Sequence, residues 1–333
     1  MHSILAKWRL FAVTVTTAFA VLLVSNSPAS ALEPGESTRW ANEIEGNTPI
    51  TANGILGEAR AANGDLFQVW HGAGNGNMYL SLNHSQPLTL PGQTNASPQI
   101  VYVGGQAQFL LFHTGTNGFV FYNTLSVAVG GNGQRYARFG GDWRQVPNGA
   151  RTLDGLAVAV TATPNNGAYL AFRGYNSNEI WGMYYNSQNG QWDLPTRTFG
   201  ATSDSSPALA YSTNNNHILL AYRGTDNQVN VIRLPYGSGN WYGREILGGV
   251  LTDSHPAIGI SANGFGQVAI RQQGTGVLHM QTVSDSGAHF NWVRESQSQT
   301  SPWGPRIVMD AYRAYLVATA WGGYVLWKQS RQF

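Results

Sequence analysis

The 333-residue chain contains no cysteine, which excludes disulfides, thiolate metal sites and cysteine nucleophiles. Charge is scarce as well, at 11% of residues. Lys7 and Arg9 precede an apolar run from Leu10 to Val24 and the small-residue stretch Ala29-Ser30-Ala31. That order is the pattern of a secretory leader, read here as residues 1–31. Without them 17 basic residues face 17 acidic ones. A neutral chain lacks the clustered positive charge that nucleic acid or an anionic membrane would require. Past the leader no run is long and apolar enough to be a membrane-spanning helix, so an exported single domain over residues 32–333 is expected. Its only lysine is Lys328, which leaves guanidinium groups, suited to bidentate and stacking contacts, as its cations. The zinc-protease H-E-x-x-H, nucleophile-elbow G-x-S-x-G, phosphate-loop and calcium-loop motifs are all missing, and no metal or cofactor is expected.

What the chain does have is a repeat. A proline ahead of an apolar residue recurs at Pro49, Pro98, Pro207, Pro256 and Pro305, with Gly155 in the vacant slot, at intervals of 49, 57, 52, 49 and 49 residues. Each mark is followed by an apolar run, a polar glycine-rich turn and another strand-like run, as in Phe109 to Phe121 and Ile218 to Val231. Trp143, Trp192, Trp241 and Trp292 fall near the ends of four units. Four strands in about 40 to 50 residues is the period of a propeller blade. The expected fold is therefore all-β, a propeller of six four-stranded blades. The sixth unit lacks its tryptophan-bearing strand, and the segment from Arg39 to Glu43, which contains Trp40, is expected to supply it and close the ring.

In such a ring, chemistry is sought at equivalent positions. After the second strand stand His71, His113, Arg173, Arg223 and Arg271; before the marks stand Asp154, Asp204 and Asp253, with Asn95 in unit two. Both sets belong to one face of the propeller. They read either as a polar ring that orients sugar hydroxyls or as repeated braces between blades. Trp70, Tyr175, Tyr222 and Trp321 lie near the same turns and are candidates for stacking on a pyranose. Trp181, Trp303 and Trp327 also break the repeat, whereas the repeated tryptophans read as blade packing. Asp154, Asp204, Asp253 and His113 are the candidate catalytic groups, should a carboxylate pair converge for glycoside cleavage.

The phrases Ser205-Ser206-Pro207-Ala208-Leu209-Ala210 and Ala221-Tyr222-Arg223-Gly224-Thr225-Asp226-Asn227-Gln228-Val229 resemble repeats of secreted bacterial β-propeller lectins. The resemblance implies glycan or polysaccharide binding in pockets on or between blades. Because the turn residue changes from His to Arg and is lost in the last unit, one asymmetric central site is the alternative to several equal ones. An extracellular glycoside hydrolase or lyase and a protein-binding scaffold or inhibitor are the competing functions. Ser284 to Trp292 resembles the Asp-box hairpin of sialidase-like propellers, with too long a gap from Gly287 to Trp292, and is read as a hairpin turn.

Overall fold

The computed structural model describes residues 41–332 apart from 43, 46–47, 50–51, 62, 105–107, 162–166, 236, 295–299, 311–312 and 322. Residues 1–31, expected from the sequence to be a leader, and Trp40 lie outside the described residues. The architecture is a six-bladed all-β propeller, with no helix among the described residues. From the axis outward, blade one comprises Gly57–Arg60, Leu66–His71, Asn77–Leu82 and Leu88–Gln93. Blade four comprises Ala208–Ser212, His217–Arg223, Val229–Pro235 and Tyr242–Leu247, and blade five Ala257–Ile260, Phe265–Arg271, Leu278–Ser284 and Val293–Arg294.

The outermost strand is split in the two blades between. Blade two runs Gln99–Gly104, Gln108–Thr114 and Val120–Val129, then Arg135–Phe139 and Arg144–Gln145. Blade three runs Ala157–Thr161, Gly167–Arg173 and Glu179–Asn186, then Gln191–Trp192 and Thr196–Thr202. The long hairpin of blade two accounts for the widest repeat interval. In blade six, Arg306–Asp310, Arg313–Thr319 and Val325–Gln332 are completed by Ala41–Asn42, with Ala41 opposite Trp327 and Asn42 opposite Leu326. Closure by the N-terminal segment therefore occurs as expected.

Burial peaks at the second strand of a blade and falls toward its outer edge, and packing explains why. Second strands are covered on both faces by neighbouring blades, so Ile218 to Tyr222 and Val268 to Ile270 are buried without alternation. Most of the outer strand Tyr242–Leu247 is exposed. Six apolar clusters result, one between each adjacent pair of blades. Phe67 and Phe109 meet edge to face at 4.7 Å between blades one and two. Burying each such ring contributes about 1.5–3 kcal/mol. The repeated tryptophans are wedges here: Trp143, Trp192, Trp241 and Trp292 each pack against the cluster shared with the preceding blade. Trp143 Nε1 donates to the Pro91 carbonyl (3.0 Å) and Trp292 Nε1 to that of Gly248 (2.9 Å), both on the preceding blade.

Two features of the repeat differ from the sequence reading. Thr48–Pro49 pairs with Ile44–Glu45 in a separate two-stranded sheet, so Pro49 marks no blade. The residue ahead of the innermost strand is instead the buried Leu56 in blade one and Leu156 in blade three, where an apolar side chain takes the place of proline. The second feature is a backbone ring. The amides of Ala52, Thr94, Thr152, Ser203, Thr252 and Ser301 donate to Gly323, Gly76, Gly118, Asn178, Asn227 and Gly276 of the preceding blade, at 2.7–3.2 Å. These bonds stitch each blade to the next at one level. Asp285 is a buried turn residue that accepts from Ser212, Asn214 and Asn215, while Arg233 donates to its carbonyl, so this hairpin ties blade five to blade four.

Candidate functional site

The six loops that lead into the innermost strands converge on one face, here termed the front, and line a cavity of about 470 Å³. Their shape has a local cause. In five blades a buried Ser or Thr accepts the backbone N–H two residues on, folding the loop over: Thr94 from Ala96, Thr152 from Asp154, Ser203 from Ser205, Thr252 from Ser254 and Ser301 from Trp303. The signal was readable as a hydroxyl four residues ahead of the proline, or of Leu156 in blade three. It shows that Asp204 and Asp253 are equivalent while Asp154 sits one residue later. Arg306 also lines the cavity, donating to Gln99 Oε1 of blade two (2.6 Å) and to the Glu58 carbonyl of the adjacent blade one (3.2 Å). Burial lowers its pKa to about 10, opposed by the charge of Glu58, so it stays a cation at neutral pH.

The last residue of each second strand stands beside the front loops, those of its own blade or of the next. Strand alternation decides which residue this is, and it corrects the expectation for blade two. There Thr114 holds the position and donates to the Asp154 carbonyl (3.2 Å). His113, one residue earlier, points to the opposite face, buried against Phe121 and Trp143 and away from the cavity. Burial pushes its pKa down to about 4, partly offset by a backbone hydrogen bond. In blade six the position belongs to Thr319, which donates to the Gly54 carbonyl. The ring is thus His71, Thr114, Arg173, Arg223, Arg271 and Thr319. His71 lines the cavity, its pKa lowered by burial.

The three arginines of this ring differ in what holds them. Arg271 forks onto Asp253, with Nε to Oδ1 and Nη2 to Oδ2 both at 2.8 Å, and also donates to Pro302 of blade six. Burial alone would raise the Asp253 carboxyl; the hydrogen bonds and charge of Arg271 outweigh it and hold the group below its ordinary value. Arg173 pairs with Asp154 and donates to Asn178 Oδ1 (3.2 Å), and Asn178 Nδ2 donates to Asp204 (3.1 Å). Arg223 lines the cavity with no hydrogen-bond or ion-pair partner among the described residues, and its Nε is buried. The neighbouring loop cannot satisfy it, because Asp253 is taken by Arg271. In its own blade, Oδ1 of Asp204 accepts from Asn178 instead.

His255 is a cavity residue that the sequence reading missed. It stands where Ser97 and Ser206 stand in blades two and four, one residue before proline, and that departure from the repeat was its signal. It fits because Gly304 leaves room: a Cβ there would lie 2.5 Å from the imidazole. Burial, reinforced by Arg271 and Arg223, lowers its pKa to about 4 and keeps it neutral.

The aromatic candidates separate by burial. Trp70 (4% exposed) stacks on Tyr79 and Tyr222 (1%) belongs to the core between blades three and four, so neither offers a face to a ligand. Alternation again gives the reason, since each immediately precedes a ring residue. Tyr175 is half-buried with the Arg151 guanidinium 3.9 Å from its ring centroid, and Trp181 packs between blades two and three. Trp303 (39% exposed) lines the cavity, and Trp321 (70%) stands on the turn of the same blade. Nothing is described of the Trp327 side chain.

These features define a six-bladed propeller with one central front cavity. Solved structures share the fold. A mutant of Aleuria aurantia lectin in complex with Fucα1-6GlcNAc has TM-score 0.59 and 12% identity, over 84% of this chain and 93% of that one. The GH93 α-L-arabinofuranosidase of Fusarium graminearum with arabinobiose has TM-score 0.57 and 11% identity, over 89% and 98%. A mutant Trypanosoma rangeli sialidase displaying trans-sialidase activity has TM-score 0.53 and 11% identity, over 90% and 58%. No protein-family model matches this chain, and no curated protein matches it in sequence.

Proposed function

We propose that this protein is an exported carbohydrate-binding propeller that holds a glycan at one asymmetric site in the front cavity. The observation that carries this reading is the state of the cavity's carboxylates. Asp154 and Asp253 are each tied to an arginine, which leaves Asp204 as the one aspartate of the three without an ion pair among the described residues. Glycoside cleavage in most families uses two carboxyl groups, one of them a protonated acid with a raised pKa. Asp253 is shifted the other way. The cavity instead presents fixed donors and acceptors, with Trp303 at its wall, which orient hydroxyls and stack on a sugar face. The different residues at the six ring positions favour one site over six equal ones. Propellers of this fold that bind fucosides or act on arabinosides support a sugar as the ligand class.

The test is a glycan and polysaccharide array with the purified protein, each bound glycan also assayed for product release. Retention without products, weakened by Trp303→Ala, is the expected result. Product release that vanishes in Asp204→Asn would replace this reading with a hydrolase or lyase, and no retention by any glycan would favour a protein-binding scaffold. Export is tested separately, by sequencing the amino terminus of protein recovered from culture medium, which should begin at residue 32.

A further inference from the structure

We infer that the ligand of the front cavity is an acidic glycan whose carboxylate seats on the Arg223 guanidinium beside His255. The inference rests on the single-site carbohydrate reading and narrows it to a chemical class. Three arginines share one repeat position, and two of them have forked or paired with an aspartate. The third faces the cavity with every nitrogen free of protein acceptors among the described residues, and its Nε is buried. The guanidinium is half-buried with its Nε lacking an acceptor, and a planar carboxylate is the group that satisfies its fork geometry.

The surroundings point the same way. Asn178 Nδ2 donates to one oxygen of Asp204 and Arg271 engages both oxygens of Asp253, and neither aspartate pairs with Arg223. His255 Nε2 is a second buried nitrogen without a partner. The charges acting on this imidazole, those of Arg271 and Arg223, are both positive, so it stays neutral and offers a hydrogen bond without competing for a proton. This part of the wall therefore holds a guanidinium that no carboxylate of the described residues pairs, a charge that a neutral sugar would leave unmatched.

The experiment prints carboxylate-bearing glycans beside their carboxyl-reduced counterparts, which keep every ring and linkage and lose only the acid. Pairs that bind are then measured by titration calorimetry at pH 7 with wild type, Arg223→Gln and Arg223→Lys. Wild type should prefer the acidic member by about ten- to a hundredfold, the range of a charge-assisted hydrogen bond. Arg223→Gln should abolish the preference while leaving residual binding to the reduced glycan, and Arg223→Lys should restore part of it. Equal affinity for the two members, or a preference that survives in Arg223→Gln, overturns the inference alone. Failure of both members of every pair, and of neutral glycans, overturns the carbohydrate reading as well.

Discussion

The division of the ring arginines into braces and a free group has a direct energetic consequence. Replacing each by methionine keeps the aliphatic bulk and removes the fork. In Arg271→Met, Asp253 loses two charge-assisted bonds and the carbonyl of Pro302 loses its donor. Hydrogen bonds to charged groups are worth about 1.5–3 kcal/mol where desolvated. The side chains here retain 20% and 29% exposure, which moves the estimate toward the lower end. A loss of about 2 kcal/mol is expected for Arg271→Met and about 1–2 kcal/mol for Arg173→Met. Arg223→Met removes no protein bond and should lie within about 0.5 kcal/mol of wild type. Urea unfolding at pH 7 reads these as shifts in midpoint at unchanged slope. Equal shifts in all three variants, or a large one in Arg223→Met, would refute the assignment of roles.

Acidification separates the same variants. Because the folded Asp253 carboxyl is the stronger acid, its contribution is complete above the ordinary value of 3.8 and fades as pH falls through the lower folded value. Arg271→Met, having lost that contribution already, should lose less stability than wild type over this interval.

Two further perturbations test the packing. Trp143→Ala opens the wedge between blades one and two and leaves the exposed Pro91 carbonyl to water, which should cost about 2–3 kcal/mol in urea unfolding, with a loss of near-ultraviolet circular dichroism. His113 titrates near 4 when folded and near 6.5 when unfolded, so the unfolded chain binds the extra proton between those values and stability declines from pH 7 to pH 5. His113→Phe should remove about 1–2 kcal/mol of that decline, compared by urea midpoints at the two pH values.

The fold was legible because a propeller writes its period into the chain several times over. Proline, the apolar second strand and the tryptophan wedge each recur, and the missing sixth wedge pointed to closure by the segment that pairs at Ala41 and Asn42. Pro49 misled because one proline carries no register by itself; the buried leucine of the true position looks like any core residue. Within the site, a slip of one residue mattered most. In a strand it moves a side chain to the opposite face, so reading His113 for Thr114, or Trp70 and Tyr222 as exposed, exchanged the cavity for the core. The free state of Arg223 was beyond sequence reading, since it depends on which of several equivalent-looking carboxylates Asn178 and Arg271 have already engaged.

That dependence can be tested without touching a ligand contact. The backbone bonds between adjacent blades hold each front loop in place, including the one from the Ser203 amide to the Asn178 carbonyl (2.7 Å). Asn178→Ala preserves this bond and removes the side-chain amide that holds Asp204 and accepts from Arg173. Asp204 and Arg223 then stand as Asp253 and Arg271 do one blade further on, where the same backbone geometry closes a fork. The fork should form, compensating the lost amide bonds and leaving the urea midpoint within about 1 kcal/mol of wild type. Binding at the front cavity should nevertheless weaken about tenfold, because the ligand must now displace an internal carboxylate. Unchanged binding in a normally stable Asn178→Ala protein would show that Arg223 is not what the ligand engages.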